Sequence, residues 1–434
     1  MLGTGKFSRP VINVLMTTYT LLTGMHIDQM VTFFRHINCG SPGRTTMHNL
    51  NNLVNKVVYD YWLRMQAKFI SECKNQDQPL HLGGDGAYDS PGFNARNCNY
   101  LIMDLGTKRI LSFFTAIKFQ VAGGSAAMEP FAAKTCLLSL INNFGVKIAS
   151  FTTDRSSSIA SMMREDPILK NIDHQYDIWH WIKSVMKDIF NYCKAKCCSN
   201  LALWKDSISN MLWHSFATSA SEQELKEKIL SILHHCCDNH EFPNNEIFKE
   251  CGHGDLRGTE RNKPWLREES GEVQKLRSAL LGKDKRRFED LAKMTGFHHT
   301  GDIENVNSLS NKYRPKAYVY TYEGMIARQA LAIIDHNTNI GRKQAVKKDG
   351  TPKIRTECDR AGKKWRTRDV LEPKDYSFRD EIAREIMIHV EMKTVPDVVL
   401  PTGQDLPKNQ SKIEQPSKDS LLKTYQTRLK HRIG

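Results

Sequence analysis

Apolar and polar positions repeat with two different periods along the chain, and the change of period marks the elements. Over residues 1 to 76 the period is helical. Val31 to Ile37 and Leu50 to Phe69 carry apolar residues near every third or fourth position, and the turn-forming Asn38-Cys39-Gly40-Ser41-Pro42-Gly43 separates them. Arg44-Thr45-Thr46 opens the second run, with a threonine as cap. A helical subdomain packed on the rest of the chain accounts for this pattern better than a DNA-docking helix-turn-helix. Between 77 and 195 the order becomes strand, strand, strand, helix, strand, helix, strand, helix. Asn99 to Leu105 and Arg109 to Phe119 read as strands joined by a hairpin at Gly106-Thr107-Lys108. A helix over Met128 to Phe144 and a strand over Val146 to Asp154 follow. Strands separated by helices require parallel crossovers, so the expected α/β core is a mixed sheet flanked by helices.

Residues 196 to 295 return to helical spacing, clearest over Trp204 to Phe216 and Glu222 to His235, and read as an all-helical insertion. Residues 296 to 340 are strongly helical again and return to the core. Residues 341 to 434 form a tail with 22 Lys and Arg against 14 Asp and Glu, and 342 to 368 alone hold 11 basic and 3 acidic residues. Asp380 to Val390 is a short helix, and Pro, Gln, Ser and Lys from Pro396 onward predict partial disorder.

Composition narrows the function. With 434 residues and 40% hydrophobic content, the chain has enough apolar material for a sizeable core. No run of about 18 apolar residues predicts a membrane span. Asn13 to Met25 lacks the small-residue cleavage site of a signal peptide. The net charge of +14 points to a polyanion, nucleic acid before an anionic membrane. Eleven dispersed cysteines suit a reducing compartment.

The candidate chemistry is acidic. Asp85 closes Leu80-His81-Leu82-Gly83-Gly84-Asp85, Asp154 closes the strand from Val146, and Glu304 lies in the opening of a later helix, Thr300-Gly301-Asp302-Ile303-Glu304. Two carboxylates at strand ends and a third on a helix suit a site for hard cations, because Mg²⁺ takes oxygen ligands in near-octahedral geometry. Two such ions can clamp the attacking and leaving oxygens of a phosphoryl transfer. Asp89 and Asp302 compete for the same roles. Asp177 and His180, three apart at a strand-to-helix junction, read as a structural latch in preference to a metal site. His234-His235-Cys236-Cys237, His240, Cys251 and His253 offer nitrogen and sulfur ligands within twenty residues. The expected zinc set is Cys237 or Cys236 with His240, Cys251 and His253.

Several segments together resemble eukaryotic cut-and-paste DDE transposases with an RNase H-like catalytic domain, Kolobok-like or hAT-like. They are Gly84-Asp85-Gly86-Ala87-Tyr88-Asp89-Ser90-Pro91-Gly92-Phe93-Asn94-Ala95, Leu101-Ile102-Met103-Asp104, Thr153-Asp154-Arg155, His174-Gln175-Tyr176-Asp177-Ile178-Trp179-His180 and His299-Thr300-Gly301-Asp302-Ile303-Glu304. The resemblance covers roughly residues 10 to 340. Asp177 to His180 is similar to the C/D-x-x-H signature of the group, and the interval from Asp154 to Glu304 to its insertion domain. It implies an RNase H-like sheet, a catalytic triad of Asp85, Asp154 and Glu304 holding Mg²⁺ or Mn²⁺, and a nuclear protein. Its partner would be DNA, as transposon ends and target, engaged by a homo-oligomer. Relatives carry an N-terminal zinc-dependent domain of THAP or BED type, whose signature is absent from the first 50 residues. That departure keeps two other functions open, a non-catalytic transposase-derived DNA-binding or chromatin protein and a metal-dependent nuclease.

Overall fold

The computed structural model describes residues 10–90, 95–282, 285–316, 318–359, 364–400 and 416–424. Three helices come first, α1 (Val11–Leu22), α2 (Ile27–His36) and α3 (Arg44–Asn75). A five-stranded sheet follows, from β1 (Leu80–Tyr88), β2 (Asn97–Asp104), β3 (Ile110–Ile117), β4 (Ile148–Thr153) and β5 (Asp173–Tyr176). Helix α4 (Met128–Leu138), with one π turn at its end, separates β3 from β4, and α5 (Ser157–Glu165) separates β4 from β5. The spatial order is β3-β2-β1-β4-β5. The pairs β1–β2 and β2–β3 are antiparallel, whereas β1–β4 and β4–β5 are parallel. The mixed sheet and its alternation with helices are those the hydrophobic periods predict.

Strand β2 is buried along nearly its whole length, as expected of a strand covered on both faces. One face sends Leu101, Met103 and Ile110 into a core with α1, α3 and three later helices, α12 (Gly301–Tyr313), α13 (Tyr322–Asn339) and α14 (Ser377–Met392). The other sends Leu82, Tyr100, Ile102 and Phe151 against α4 and α5. Between them the helices α6 (Ile178–Tyr192), α7 (Leu201–Thr218), α8 (Glu222–His235), α9 (Gly258–Arg261), α10 (Gly271–Leu281) and α11 (Arg286–Glu289) occupy most of residues 178 to 289. α6, α7, α8 and α10 bury a separate apolar cluster that includes Trp181, Trp204, Leu212, Ile229 and Leu276.

Residues 1 to 76 pack on the rest of the chain: Leu50, Val54, Val57 and Trp62 of the 32-residue α3 share a core with Leu331 and Ile334 of α13, while Ile27, Met30 and Met47 form a small cluster of their own. Two expectations change. The tail is partly built into the protein. Phe378, Ile382, Ala383 and Ile386 of α14 enter that same core, because they recur at helical spacing on one face. Ahead of α14, β6 (Ile354–Asp359) and β7 (Lys364–Asp369) form an antiparallel hairpin in the basic segment. A last helix, α15, covers Lys418–Thr424. The disorder expected from Pro396 falls mainly outside the described residues. Finally, Asp85 lies inside a nine-residue strand and not at its end.

The glycines before Asp85 have a packing explanation. A Cβ on Gly84 would stand 2.5 Å from the Tyr100 hydroxyl and 2.6 Å from Phe151 Cζ. One on Gly83 would stand 2.7 Å from Leu105 Cδ2 and 3.2 Å from Ile303 Cδ1. Glycine therefore lets aromatic rings close on one face of β1 and α12 on the other. We predict that Gly84→Ala destabilises the protein by about 1–3 kcal/mol, the usual range for overpacking. Urea unfolding checks this, and an unchanged midpoint would show that the rings yield freely.

Candidate functional site

The parallel pairing of β1 and β4 sets the first two acids side by side. Gly83 pairs with Thr152, so Asp85 and Asp154 each lie two residues further along neighbouring strands. Asp154 follows the last residue of β4, where α5 is about to start. Its carboxylate does not cap that helix: Ser156 is the cap residue, and its backbone N–H donates to the Asp154 carbonyl at 2.7 Å. The Asp154 carboxylate instead meets His180 Nδ1 at 2.6 Å. Helix α12, drawn close by Gly83, brings Glu304 and Asn307 over β1. Asn307 Nδ2 donates to Asp85 Oδ2 at 2.8 Å, and Glu304 Oε1 lies 3.1 Å from His180 Nε2.

His180 is the hub. Its two ring nitrogens each face carboxylate oxygens, Nδ1 toward Asp154 and Asp177 and Nε2 toward Glu304. Nδ1 hydrogen-bonds Asp177, and Asp154 and Glu304 stand within ion-pair distance, a surrounding of carboxylates that favours the imidazolium. Burial alone would lower the His180 pKa, but the hydrogen bonds and charges of Asp154 and Asp177 outweigh it and push it up to about 10. Asp177 takes three hydrogen bonds. It caps α6 by accepting from the Trp179 N–H at 2.8 Å, takes the Thr300 hydroxyl at 2.5 Å, and meets the His180 ring at 2.6 Å. Burial would raise its pKa, yet the bonds from His180 and Thr300 hold it below the usual carboxylate value. Thr300 immediately precedes α12, so this one carboxylate ties the start of α6 to the start of α12.

Asp85 feels the opposite balance. Burial first, then the charges of Asp154 and Glu304, push its pKa up to about 7 against the weaker pull of His180. Glu129 in the first turn of α4 is also pushed up to about 7, by burial and then by Asp85 and Asp154. Asp85, Glu304 and Asn307 line a cavity of about 640 Å³ together with Ser125, Arg314 and Lys316. The structure thus brings Asp85, Asp154 and Glu304 around one place and leaves the competitors outside. Asp89 accepts from the Arg96 N–H and Asn97 side chain, and Asp302 pairs with Lys108.

Carboxyl oxygens from two strands and a helix, one of them with its pKa raised by burial and then by its neighbours' negative charge, are a donor set that fits hard divalent cations. At this site the residues whose ligand atoms lie within 4.8 Å of one another are Asp154, Asp177 and His180, a group that Asp85 and Glu304 do not join.

Sequence reasoning missed Asn307, Glu129 and Thr300. Asn307 was within reach, three residues after Glu304 and so on the same helix face. Glu129 sits in an otherwise apolar helix start with no pattern to single it out.

The second predicted cluster forms with one exchange. His240, Cys251 and His253 come together, but their fourth neighbour is His235 and not Cys237 or Cys236. Successive residues leave a helix about 100° apart, so the end of α8 cannot aim both at one point. Cys236 goes into the apolar core between the helices, and Cys237 packs against it.

No protein-family model matches the chain, and a search of curated proteins finds no match either. Among the described residues, no helix is long and apolar enough to cross a membrane.

The raised Asp85 pKa has a measurable consequence. Its value in the folded protein, about 7, exceeds the ordinary unfolded value of about 3.9. The native state therefore holds the proton more tightly, and Asp85 costs stability progressively as pH rises from about 4 to about 7. In chelator, the melting temperature of Asp85→Asn relative to wild type should climb between pH 5 and pH 7 and then level off. A difference that stays flat over this window would mean that neither burial nor the other acids raise the Asp85 carboxyl.

Proposed function

We propose that the chain is a DDE-type polynucleotidyl transferase, a transposase-like enzyme that cleaves DNA and joins strands with Mg²⁺ or Mn²⁺ at Asp85, Asp154 and Glu304. The observation that carries this reading is the proximity of these three acids, 219 positions apart from first to last in sequence: Asp154 and Glu304 flank His180, Asp85 feels the charges of both, and Asp85 and Glu304 line one cavity. An antiparallel three-strand run continued by two parallel strands, with helices on both faces, fits the RNase H-like domain that the sequence resembles. The helical unit from α7 to α11 then takes the place of the insertion domain.

Divalent cations held by the three carboxylates would lower the pKa of a bound water and stabilise the leaving oxygen. The protein's own residues do the rest. Asn307 orients the Asp85 carboxyl through its side-chain amide. Arg314 and Lys316 line the cavity as cationic partners for a phosphodiester. Arg314 is anchored by a 2.7 Å bond from its Nε to Gln329, so its position is fixed before substrate arrives. Asp177 and Thr300 hold His180, and with it Asp154 and Glu304, in register; Asp177 and Thr300 are positioning residues on this account. The basic β6–β7 hairpin, with Arg355 opposite Arg368 and a 73% exposed Trp365, supplies charge and a stacking surface for the DNA beyond the cavity.

The second reading places a single metal among Asp154, Asp177 and His180. Against it, three of the four lone pairs of the Asp177 carboxylate already take hydrogen bonds, and His180, pushed up to about 10, holds the proton that a metal would have to displace.

The test is cleavage of a DNA duplex with Mn²⁺. Asp154→Asn should lose activity by at least about 10³-fold while staying folded, because the amide oxygen can keep the contact with His180 but cannot replace the carboxylate as a metal ligand. Thr300→Val should lower both stability and activity and leave the metal dependence of the remainder unchanged. A fully active Asp154→Asn would overturn the triad. Loss of metal binding in His180→Gln with stability unchanged would instead favour the second reading. Wild-type protein that shifts DNA without cleaving it would leave a DNA-binding derivative as the function.

A further inference from the structure

The helical unit holds a second constellation, more than one helix length from the acids in sequence and of different chemistry. His235 is the last residue of α8. His240 and Cys251 face one another across a short antiparallel pairing: Cys251 N–H donates to the His240 carbonyl at 2.9 Å, Phe242 N–H to the Lys249 carbonyl at 2.6 Å, and Glu241 bridges Glu250. His253 follows two residues later. One ligand atom from each of the four residues lies within 4.8 Å of all the others, and Cys251 Sγ is 3.5 Å from His235 Nδ1.

The outer hydrogen bonds say which atoms point inward. His253 Nδ1 lies 2.7 Å from the Gly254 carbonyl, which only accepts, so Nδ1 carries the proton and Nε2 keeps its lone pair. His240 Nε2 lies 3.2 Å from Asp238 Oδ1, which likewise makes it the donor. His240 Nδ1 is left as an acceptor, and it is buried without a hydrogen-bond partner. A buried, partnerless imidazole lone pair is costly unless something binds it. Asp238 is itself fixed by Arg261 at 2.5 Å. A carboxylate behind a histidine, and a carbonyl behind another, is the arrangement that sets tautomer and aim in metal-ligating histidines. The three rings also stand edge to face, with centroids 4.8, 5.2 and 5.0 Å apart and planes 81°, 82° and 85° from one another. They are turned about a shared centre and do not stack.

We propose that His235, His240, Cys251 and His253 form a structural zinc site, with Nδ1 of His235, Nδ1 of His240, Sγ of Cys251 and Nε2 of His253 as ligands. Three imidazoles and one thiolate favour zinc over the hard cations suited to the acid cluster. Metal–ligand distances of about 2.0–2.3 Å in a tetrahedron put ligand atoms roughly 3.5 Å apart, so the four need to close by little. Four protein ligands leave no open position, which makes the site structural. On binding, the Cys251 thiol loses its proton to solvent and the three imidazoles stay neutral. The metal fastens the polar stretch after α8, residues 236 to 257, to the helix end. The inference does not rest on the transferase reading and would hold for a chain that never cleaves DNA.

The experiment is elemental analysis of full-length protein purified under reducing conditions without chelator, paired with titration of Co²⁺ into protein stripped by chelator. One zinc per chain is expected, together with a tetrahedral Co²⁺ spectrum containing a thiolate charge-transfer band. Cys251→Ser should lose that band, and His240→Ala should lower zinc content to less than a tenth. Cys237→Ser and Asp85→Asn should each keep a full equivalent, which separates this site from the residue first expected and from the acid cluster. Wild-type protein with no zinc and no tetrahedral Co²⁺ spectrum would overturn the proposal. So would a Co²⁺ spectrum from Cys251→Ser identical to wild type, or loss of zinc in Cys237→Ser.

Discussion

Burial of acids beside one another, with one histidine set between two of them, is the constraint on which the centre of this protein depends. Asp154 and Glu304 are brought together from a strand end and a distant helix, and His180 stands between them within ion-pair distance of both. Burial, and after it the charges of both, raise the pKa of Asp85 above that of an ordinary aspartate. Such an arrangement is costly for a fold unless the surrounding structure fixes it. Asp177 supplies that fixation through the cap of α6, the hydroxyl before α12 and the His180 ring. One buried carboxylate thus determines where the chain leaves the sheet and where it comes back.

The sheet makes the crowding possible. Parallel pairing of β1 and β4 sets Asp85 beside Asp154, and glycine at position 83 allows α12 to approach β1. The N-terminal α3 and the late helices α13 and α14 close the same face from outside. The helical unit between α6 and α12 has its own core and a histidine–cysteine cluster of its own. Its position in the chain, between the second acid and the third, means that its folding sets how α12 returns to the sheet.

Much of this was legible in sequence because it follows from local periodicity. The order of strands and helices between 77 and 195 could be read from the alternation of apolar runs, and Asp154, Asp177 and Glu304 from their places beside those runs. What was not legible depends on packing between distant segments. The fusion of α1, α3 and α14 into one core needs contacts over hundreds of residues. The length of β1 beyond Asp85 was hidden by its glycines, which read as a turn and in fact make room for Tyr100, Phe151 and Ile303. His235 was named within a dense His-Cys run, but choosing it over Cys237 required the rotation of the last turn of α8.

The central claim is that the three acids form a divalent-metal site, and Mn²⁺ binding followed by electron paramagnetic resonance tests it most directly. Chelator-stripped full-length protein, reloaded with zinc so that the histidine–cysteine cluster is filled, is titrated with Mn²⁺ at pH 8. The account predicts saturable uptake by wild type that weakens at least tenfold in both Asp85→Asn and Asp154→Asn and survives in Cys237→Ser. Wild-type protein that leaves all the Mn²⁺ free in solution, or the two aspartate variants binding it as tightly as wild type, would contradict it.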